Sequence, residues 1–271
     1  MSDSEDQSGV PLIESLSRSA SPEVGGKRKR SDDAKPESKR AAKKRKSKKS
    51  SHVDDGDLDE EKGVNTSIAR MDSQLLADQI AQKTKKFQSD LSSVELEDRY
   101  LSGKAILDTS DWDQQRDLEH LPAFLEKFAG GDLKSAPKSK GCPHTIVIAA
   151  SGIRAADLTR SLRKFETKDT KVGKLFAKHI KIKEAIEFCK KTRMNIGVGT
   201  PQRLSALLED AGALSANGIQ RLVVDASHID QKKRGIMDMK DTHIPLVDLL
   251  IRDHFKARYG ETEKKLQLLF Y

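Results

Sequence analysis

Apolar and polar positions follow different rhythms in different parts of the chain. From about residue 105 onward, short apolar runs alternate with segments whose apolar residues recur at three- and four-residue steps. Thr145-Ile146-Val147-Ile148-Ala149-Ala150 is a continuous apolar run between turn signals, as expected of a strand buried on both faces. Val172 to Phe176, Asn195 to Gly199, Leu222 to Asp225 and Leu266 to Phe270 read as further strands. Between them, Ala155, Leu158, Leu162 and Phe165 mark one amphipathic helix, and Ile182, Ala185, Ile186 and Cys189 another. Leu204, Leu207, Leu208 and Ala211 give a third its apolar face, and Leu246 to Ile251 a fourth. Leu118, Leu121, Leu125 and Phe128 precede them, on a helix that ends at Gly130-Gly131. Strands alternating with helices predict an α/β fold, a parallel, doubly wound sheet with right-handed crossovers, over residues 105–271.

Upstream the rhythm weakens. Ile68, Met71, Leu75, Leu76, Ile80 and Phe87 fall mostly three or four apart, which predicts an amphipathic helix in a bridge over residues 65–104. Lys83, Lys85 and Lys86 at its C-terminal end complement the helix dipole. Two readings of this helix stay open, a hook for a partner and an element packed on its own domain. Residues 1–64 carry too few apolar residues to offset the entropy of folding and read as a disordered tail.

Charge sharpens this division. The 271 residues carry 50 Lys+Arg and 42 Asp+Glu, with hydrophobic residues at 35%, low for a chain folded throughout. The charge is unevenly placed. One basic cluster is Lys27-Arg28-Lys29-Arg30, and a denser one surrounds Lys43-Lys44-Arg45-Lys46. Two clusters with a polar spacer suit a bipartite nuclear-import signal read by an import receptor, and also phosphate backbones. An acidic block, Asp54 to Glu61, follows. Cys142 and Cys189 form no CxxC pair and read as reduced intracellular thiols. No apolar run is long enough for a membrane span, and the acidic start is unlike a secretory signal.

In a doubly wound sheet, ligands meet the carboxyl ends of the strands. Gly152, Gly199-Thr200 and Asp225-Ala226-Ser227-His228 fall there. Thr200 is placed to cap the helix opened by Pro201. A phosphate-binding loop GxxxxGK[ST] is absent, and Gly197-Val198-Gly199 supplies only a fragment of a dinucleotide fingerprint. The histidines lack metal-ligand spacing, Gly-x-Ser-x-Gly is missing, and no cofactor or metal is expected. Basic residues near helix starts, among them Arg154, Lys178, Lys181 and Arg203, suit a phosphate-facing surface. Aromatic content of 4% argues against base-stacking platforms.

Val198-Gly199-Thr200-Pro201-Gln202-Arg203-Leu204 resembles the Thr-Pro-Gly-Arg motif of DEAD-box RNA helicases, with Gln202 in place of glycine. Leu222 to His228 resembles the strand and Asp-Glu-Ala-Asp box; Asp225 matches the first Asp, and Ala226 stands at the catalytic Glu. Ile146 to Leu158 sits where the Pro-Thr-Arg-Glu-Leu motif belongs, and Leu266 to Phe270 resembles the strand that leads to the Ser-Ala-Thr motif. Leu121 to Lys127 resembles the helix that follows the phosphate-binding loop. Without that loop and the Glu, ATP cannot be gripped and hydrolysed in the usual way.

Lys174-Leu175-Phe176-Ala177-Lys178-His179-Ile180-Lys181, the Gly-Val-Gly-Thr-Pro corner and the charged tail together resemble the Cms-one family, over about 65–271. That resemblance implies a degenerate, single RecA-like lobe and residence in the nucleus and nucleolus. It also implies association with pre-ribosomal RNA and assembly factors of the early small-subunit (ninety-S) pre-ribosome. The helicase Thr and Arg touch the RNA backbone, and this carries over only to Thr200 and Arg203. Lys178 and Lys181 are further RNA candidates. The expected function is therefore a non-enzymatic factor of small-subunit ribosome biogenesis. Two rivals stand beside it: an atypical RNA-dependent ATPase using Asp225, and a pure protein–protein scaffold hooked through 65–104.

Overall fold

The centre of the fold is a sheet whose strands are apolar on both sides. A computed structural model describes residues 55–177, 180–210, 213–261 and 265–271. Its five strands are β1 (Thr145–Ile148), β2 (Lys171–Leu175), β3 (Met194–Gly199), β4 (Arg221–Val224) and β5 (Gln267–Phe270). All pair in parallel, in the order β2-β3-β1-β4-β5. Beyond β5, Ile106 makes an isolated parallel bridge to Leu268, so the backbone before the first strand runs briefly along that edge of the sheet.

Alternation along the strands sends side chains into two cores. Ile146, Ile148, Leu222, Val224, Leu268 and Phe270 face one way. They meet α1 (Ser73–Phe87), α5 (Ile182–Lys191), α6 (Pro201–Glu209) and α7 (Lys240–Leu250). Val147, Ala149, Ile196, Val198, Val223 and Leu269 face the other way, against α3 (Leu121–Ala129) and α4 (Gly152–Leu162). The lobe is thus the doubly wound α/β sheet that the strand and helix periodicities predict, consistent with a RecA-like lobe. Short helices α2 (Ser93–Asp98) and α8 (Asp253–Lys256) complete it. Helix α3 starts with Pro122 in its first turn and stops at Gly130, whose φ of 61° is a left-handed C-cap.

Residues 51–271 form one compact unit, and the 65–104 stretch lies inside it. Helix α1 buries Leu76, Ala77, Ile80 and Thr84, and Lys83 pairs with Asp238 at 2.5 Å. It packs on its own lobe, so those apolar residues are not available as a partner hook. Leu75, assigned by periodicity to the apolar face, is 52% exposed. The Asp90–Asp98 stretch, irregular in pattern, forms α2 through a capping box between Ser92 and Glu95.

A short hairpin stands just ahead of residue 65. Leu58–Asp59 pairs antiparallel with Val64–Asn65, and Val64 bridges to His228. Asn65 N–H also donates to the Ser227 carbonyl at 2.7 Å. Composition hides this because the hairpin lies in the acidic block. Its acids find partners on the lobe: Glu60 with Lys233 at 2.6 Å, Asp57 with Arg70 at 2.9 Å. The basic clusters Lys27–Arg30 and Lys43–Lys46 lie outside the described residues.

Candidate nucleic-acid interface

Three strand ends build the carboxyl edge. After β1, Ser151 turns the chain and its Oγ accepts the Arg154 N–H at 3.2 Å, capping α4. After β3, Gly199 passes close to its neighbour: a Cβ there would lie 2.3 Å from the Leu175 carbonyl oxygen and 2.9 Å from Leu204. Glycine at this corner is therefore a packing requirement as well as a motif letter. Gly199→Ala should lower stability by about 1–3 kcal/mol through the forced backbone shift, measured as the change in urea midpoint at constant slope.

Thr200 stands at the N-cap position of α6 with φ −95° and ψ 153°, the extended conformation that caps require. Its hydroxyl makes no cap hydrogen bond, contrary to the expectation from sequence. Pro201 removes one of the first-turn donors, and the Thr200 carbonyl accepts Leu204 N–H at 3.0 Å. Arg203 points toward the protein: its Nη2 donates to the Ile180 carbonyl at 3.0 Å. Its Nη1 is buried with no partner among the described residues. One hydrogen bond thus ties α6 to the segment that opens α5, where exposed Lys181 follows Ile180. The bond sets Arg203 against the residue that precedes Lys181, and Thr200 heads the helix that carries Arg203; Lys178 lies outside the described residues. Gln202, at the helicase glycine position, donates through Nε2 to the Asp241 carbonyl at 2.7 Å.

Asp225 follows β4 and is 1% exposed. Arg154 Nε donates to its Oδ2 at 2.8 Å and Arg154 Nη2 to its Oδ1 at 2.9 Å. This fork-to-fork pair engages both carboxylate oxygens. Burial alone would lower the Arg154 pKa, but the Asp225 charge and hydrogen bonds outweigh it and hold the guanidinium above its ordinary value. Next to the pair, the carbonyl of Tyr271 accepts N–H bonds from Ala226 and Ser227 at 2.8 and 2.7 Å. The Tyr271 hydroxyl donates to the Asp117 carbonyl at 2.6 Å, and its pKa is driven upward by burial and by the carboxylates of Asp117 and Asp225.

Sequence reasoning missed Arg116. It is 2% exposed and reaches from the loop before α3. Its guanidinium bonds the Phe270 carbonyl and, through Nη2, the Thr109 carbonyl at 2.9 Å. Burial lowers its pKa to about 10. It ties that loop to the end of β5. Among the described residues, no group of three or more His, Cys, Asp and Glu is placed to hold a metal ion. Cys142 and Cys189 are both free and buried, and burial raises the Cys189 thiol to about 11, so it stays protonated and inert.

Comparison with known proteins gives this lobe its relatives. A family model described as "CMS1: U3-containing 90S pre-ribosomal complex subunit" matches residues 22–271. Protein CMS1 of Chaetomium thermophilum is 55% identical over 247 residues, 90% of this chain and 96% of that protein. Protein cms1 of Schizosaccharomyces pombe is 27% identical over 72% of this chain and 69% of its own length. Protein CMSS1 of Homo sapiens is 32% identical over 58% of this chain and 54% of its own.

Proposed function

The chain belongs to the CMS1 family of U3-containing 90S pre-ribosomal complex subunits, and on that premise we propose that it is a non-enzymatic RNA- and protein-binding factor of small-subunit assembly. A role in ribosome biogenesis goes with the family. The finer reading rests chiefly on one observation: both oxygens of Asp225, the carboxylate that an ATPase would offer to a metal, are engaged by buried Arg154. With Ala226 where the general base would stand and no phosphate-binding loop, this favours binding over turnover.

The RNA-facing part is the corner of α5 and α6. The Thr200 hydroxyl, at a helix N-terminus, makes no cap hydrogen bond among the described residues, which suits it to a phosphate oxygen. Lys181 supplies charge on the segment that Arg203 ties to α6 through the Ile180 carbonyl. Lys178 is placed by sequence on the same segment. The clusters Lys27–Arg30 and Lys43–Lys46 supply an import receptor with its signal and RNA with non-specific attraction, in keeping with a nuclear and nucleolar place of work.

Titration of the full chain with fluorescent oligouridylate at rising salt tests this. Affinity should fall log-linearly, and Lys181→Ala should flatten the slope by about 0.7, one single-strand phosphate contact. Thr200→Val should weaken binding with the slope unchanged, because it removes a neutral hydrogen bond. Binding that ignores salt, or is absent, would remove RNA from the proposal.

A further inference from the structure

The sheet has an open side. β2 is its outermost strand, paired only with β3. The register against β3 shifts between Lys171 and Val172, and from Val172 onward the alternation of a strand gives the backbone groups of Val172 and Lys174 the same, outward sense. The outward N–H of Val172 is taken by Glu166 Oε1 at 3.1 Å. By the same alternation, the Val172 carbonyl and both backbone groups of Lys174 face away from β3. Alongside them runs a cavity of about 580 Å³, walled by Ile180, Ala185 and Phe188 next to Val172.

The charges on this groove are unbalanced in use. Arg163, Lys171 and Lys174 are exposed on its rim and make no ion pair among the described residues. Its two acids are occupied: Glu166 by Val172 N–H, Glu184 by Lys181 N–H at 3.3 Å. Lysines on an edge strand guard against pairing with a like strand. A second copy of β2 would bring its own lysines to an edge that already carries Lys171 and Lys174, so self-pairing is opposed. An RNA backbone would meet outward carbonyl oxygens and an apolar floor, which repel and fail to match phosphates. We propose that this edge receives an extended acidic polypeptide segment of a partner protein, added to the sheet as a sixth strand. Its backbone completes the bonds of Lys174, its apolar side chains enter the groove, and its carboxylates meet Arg163, Lys171 and Lys174.

The inference does not rest on the RNA reading: the groove shares Ile180 with the Thr200 corner, but the proposal uses the backbone of β2 and a different chemistry. A random eight-residue peptide library displayed on phage is panned against the full chain, and recovered sequences are remade as free peptides. The expected set is enriched in Asp or Glu together with β-branched residues. Those peptides should slow hydrogen exchange of the Lys174 amide at least tenfold. They should bind at least tenfold more weakly to Lys171→Glu/Lys174→Glu, whose exposed substitutions leave the thermal midpoint unchanged. Lys174→Pro, which removes the outward N–H, should abolish binding. Any of four results overturns the proposal: no recovery, recovery without acidic bias, equal affinity for the double variant, or oligouridylate protecting the same amide. Dimerisation that protects it without peptide would overturn it as well.

Discussion

Asp225→Ala is expected to lower the unfolding free energy by about 3–5 kcal/mol, seen as a large drop in the urea midpoint. The magnitude comes from what is left behind. Arg154 is 8% exposed, and its fork is satisfied by the one carboxylate. Removing that carboxylate leaves a largely buried guanidinium without its counter-ion, and its desolvation is then uncompensated. Arg154→Ala strands the carboxylate in the same way. Replacing both, as Arg154→Met with Asp225→Leu, should recover most of the loss, because a buried pair and an apolar filling of similar volume are close in free energy. A loss below about 1 kcal/mol for Asp225→Ala would match a solvent-screened pair and contradict the buried one.

The same substitution separates two accounts of the residue. A motor carboxylate would be costly to turnover and cheap to stability; a structural counter-ion behaves the other way. ATP hydrolysis by the full chain with RNA present should stay at background in the wild-type protein and in Asp225→Asn alike. Turnover that the wild type shows and Asp225→Asn loses would restore the ATPase.

What could be read in advance follows from burial geometry. Thr145–Ile148 and Arg221–Val224 are buried at every position, and three of four residues in each are apolar, so two-sided burial is written as an unbroken run. β2 is harder, because an edge strand exposes Lys171 and Lys174 and breaks the run. The Arg154–Asp225 pair was out of reach, since 71 residues separate the partners and neither local pattern mentions the other. The hairpin at Leu58–Asn65 was hidden by its own acidity, which composition assigns to solvent and the lobe assigns to Lys233 and Arg70. At the candidate site, the strand-to-helix corner was legible from Thr200-Pro201. The direction of the Arg203 guanidinium was not, because a motif specifies a residue and its backbone corner, while rotamer choice depends on the Ile180 carbonyl from another element.

Acid should unfold this lobe partly through one histidine. His243 is fully buried on α7, and its Nε2 meets Thr84 Oγ1 of α1 at 2.9 Å. Thr84 donates its own hydroxyl proton to the Ile80 carbonyl at 2.9 Å, so Oγ1 is the acceptor and Nε2 carries the hydrogen. That leaves Nδ1 as a bare lone pair, buried without a partner among the described residues, and protonation there would create an unpaired cation. Burial first, and then the Lys83 ammonium, push the His243 pKa down to about 4, against a smaller pull from Asp238. The unfolded chain takes up the proton near its ordinary 6.5. The neutral form therefore stabilises the fold fully above that value, and the benefit is lost as pH falls from 6.5 toward 4. Linkage puts the loss at about 2 kcal/mol between pH 7.5 and 5. His144, His228 and His254 are also lowered by burial and titrate in the same direction, so the wild-type profile alone does not isolate His243. His243→Gln keeps a donor for Thr84 and cannot titrate. Urea unfolding of both proteins from pH 7.5 to 5 should show the variant less stable at neutral pH and the gap closing by about 2 kcal/mol in acid. Parallel profiles would mean that the ring is already protonated in the fold, or reached by water, and the account of its buried neutral tautomer would be wrong.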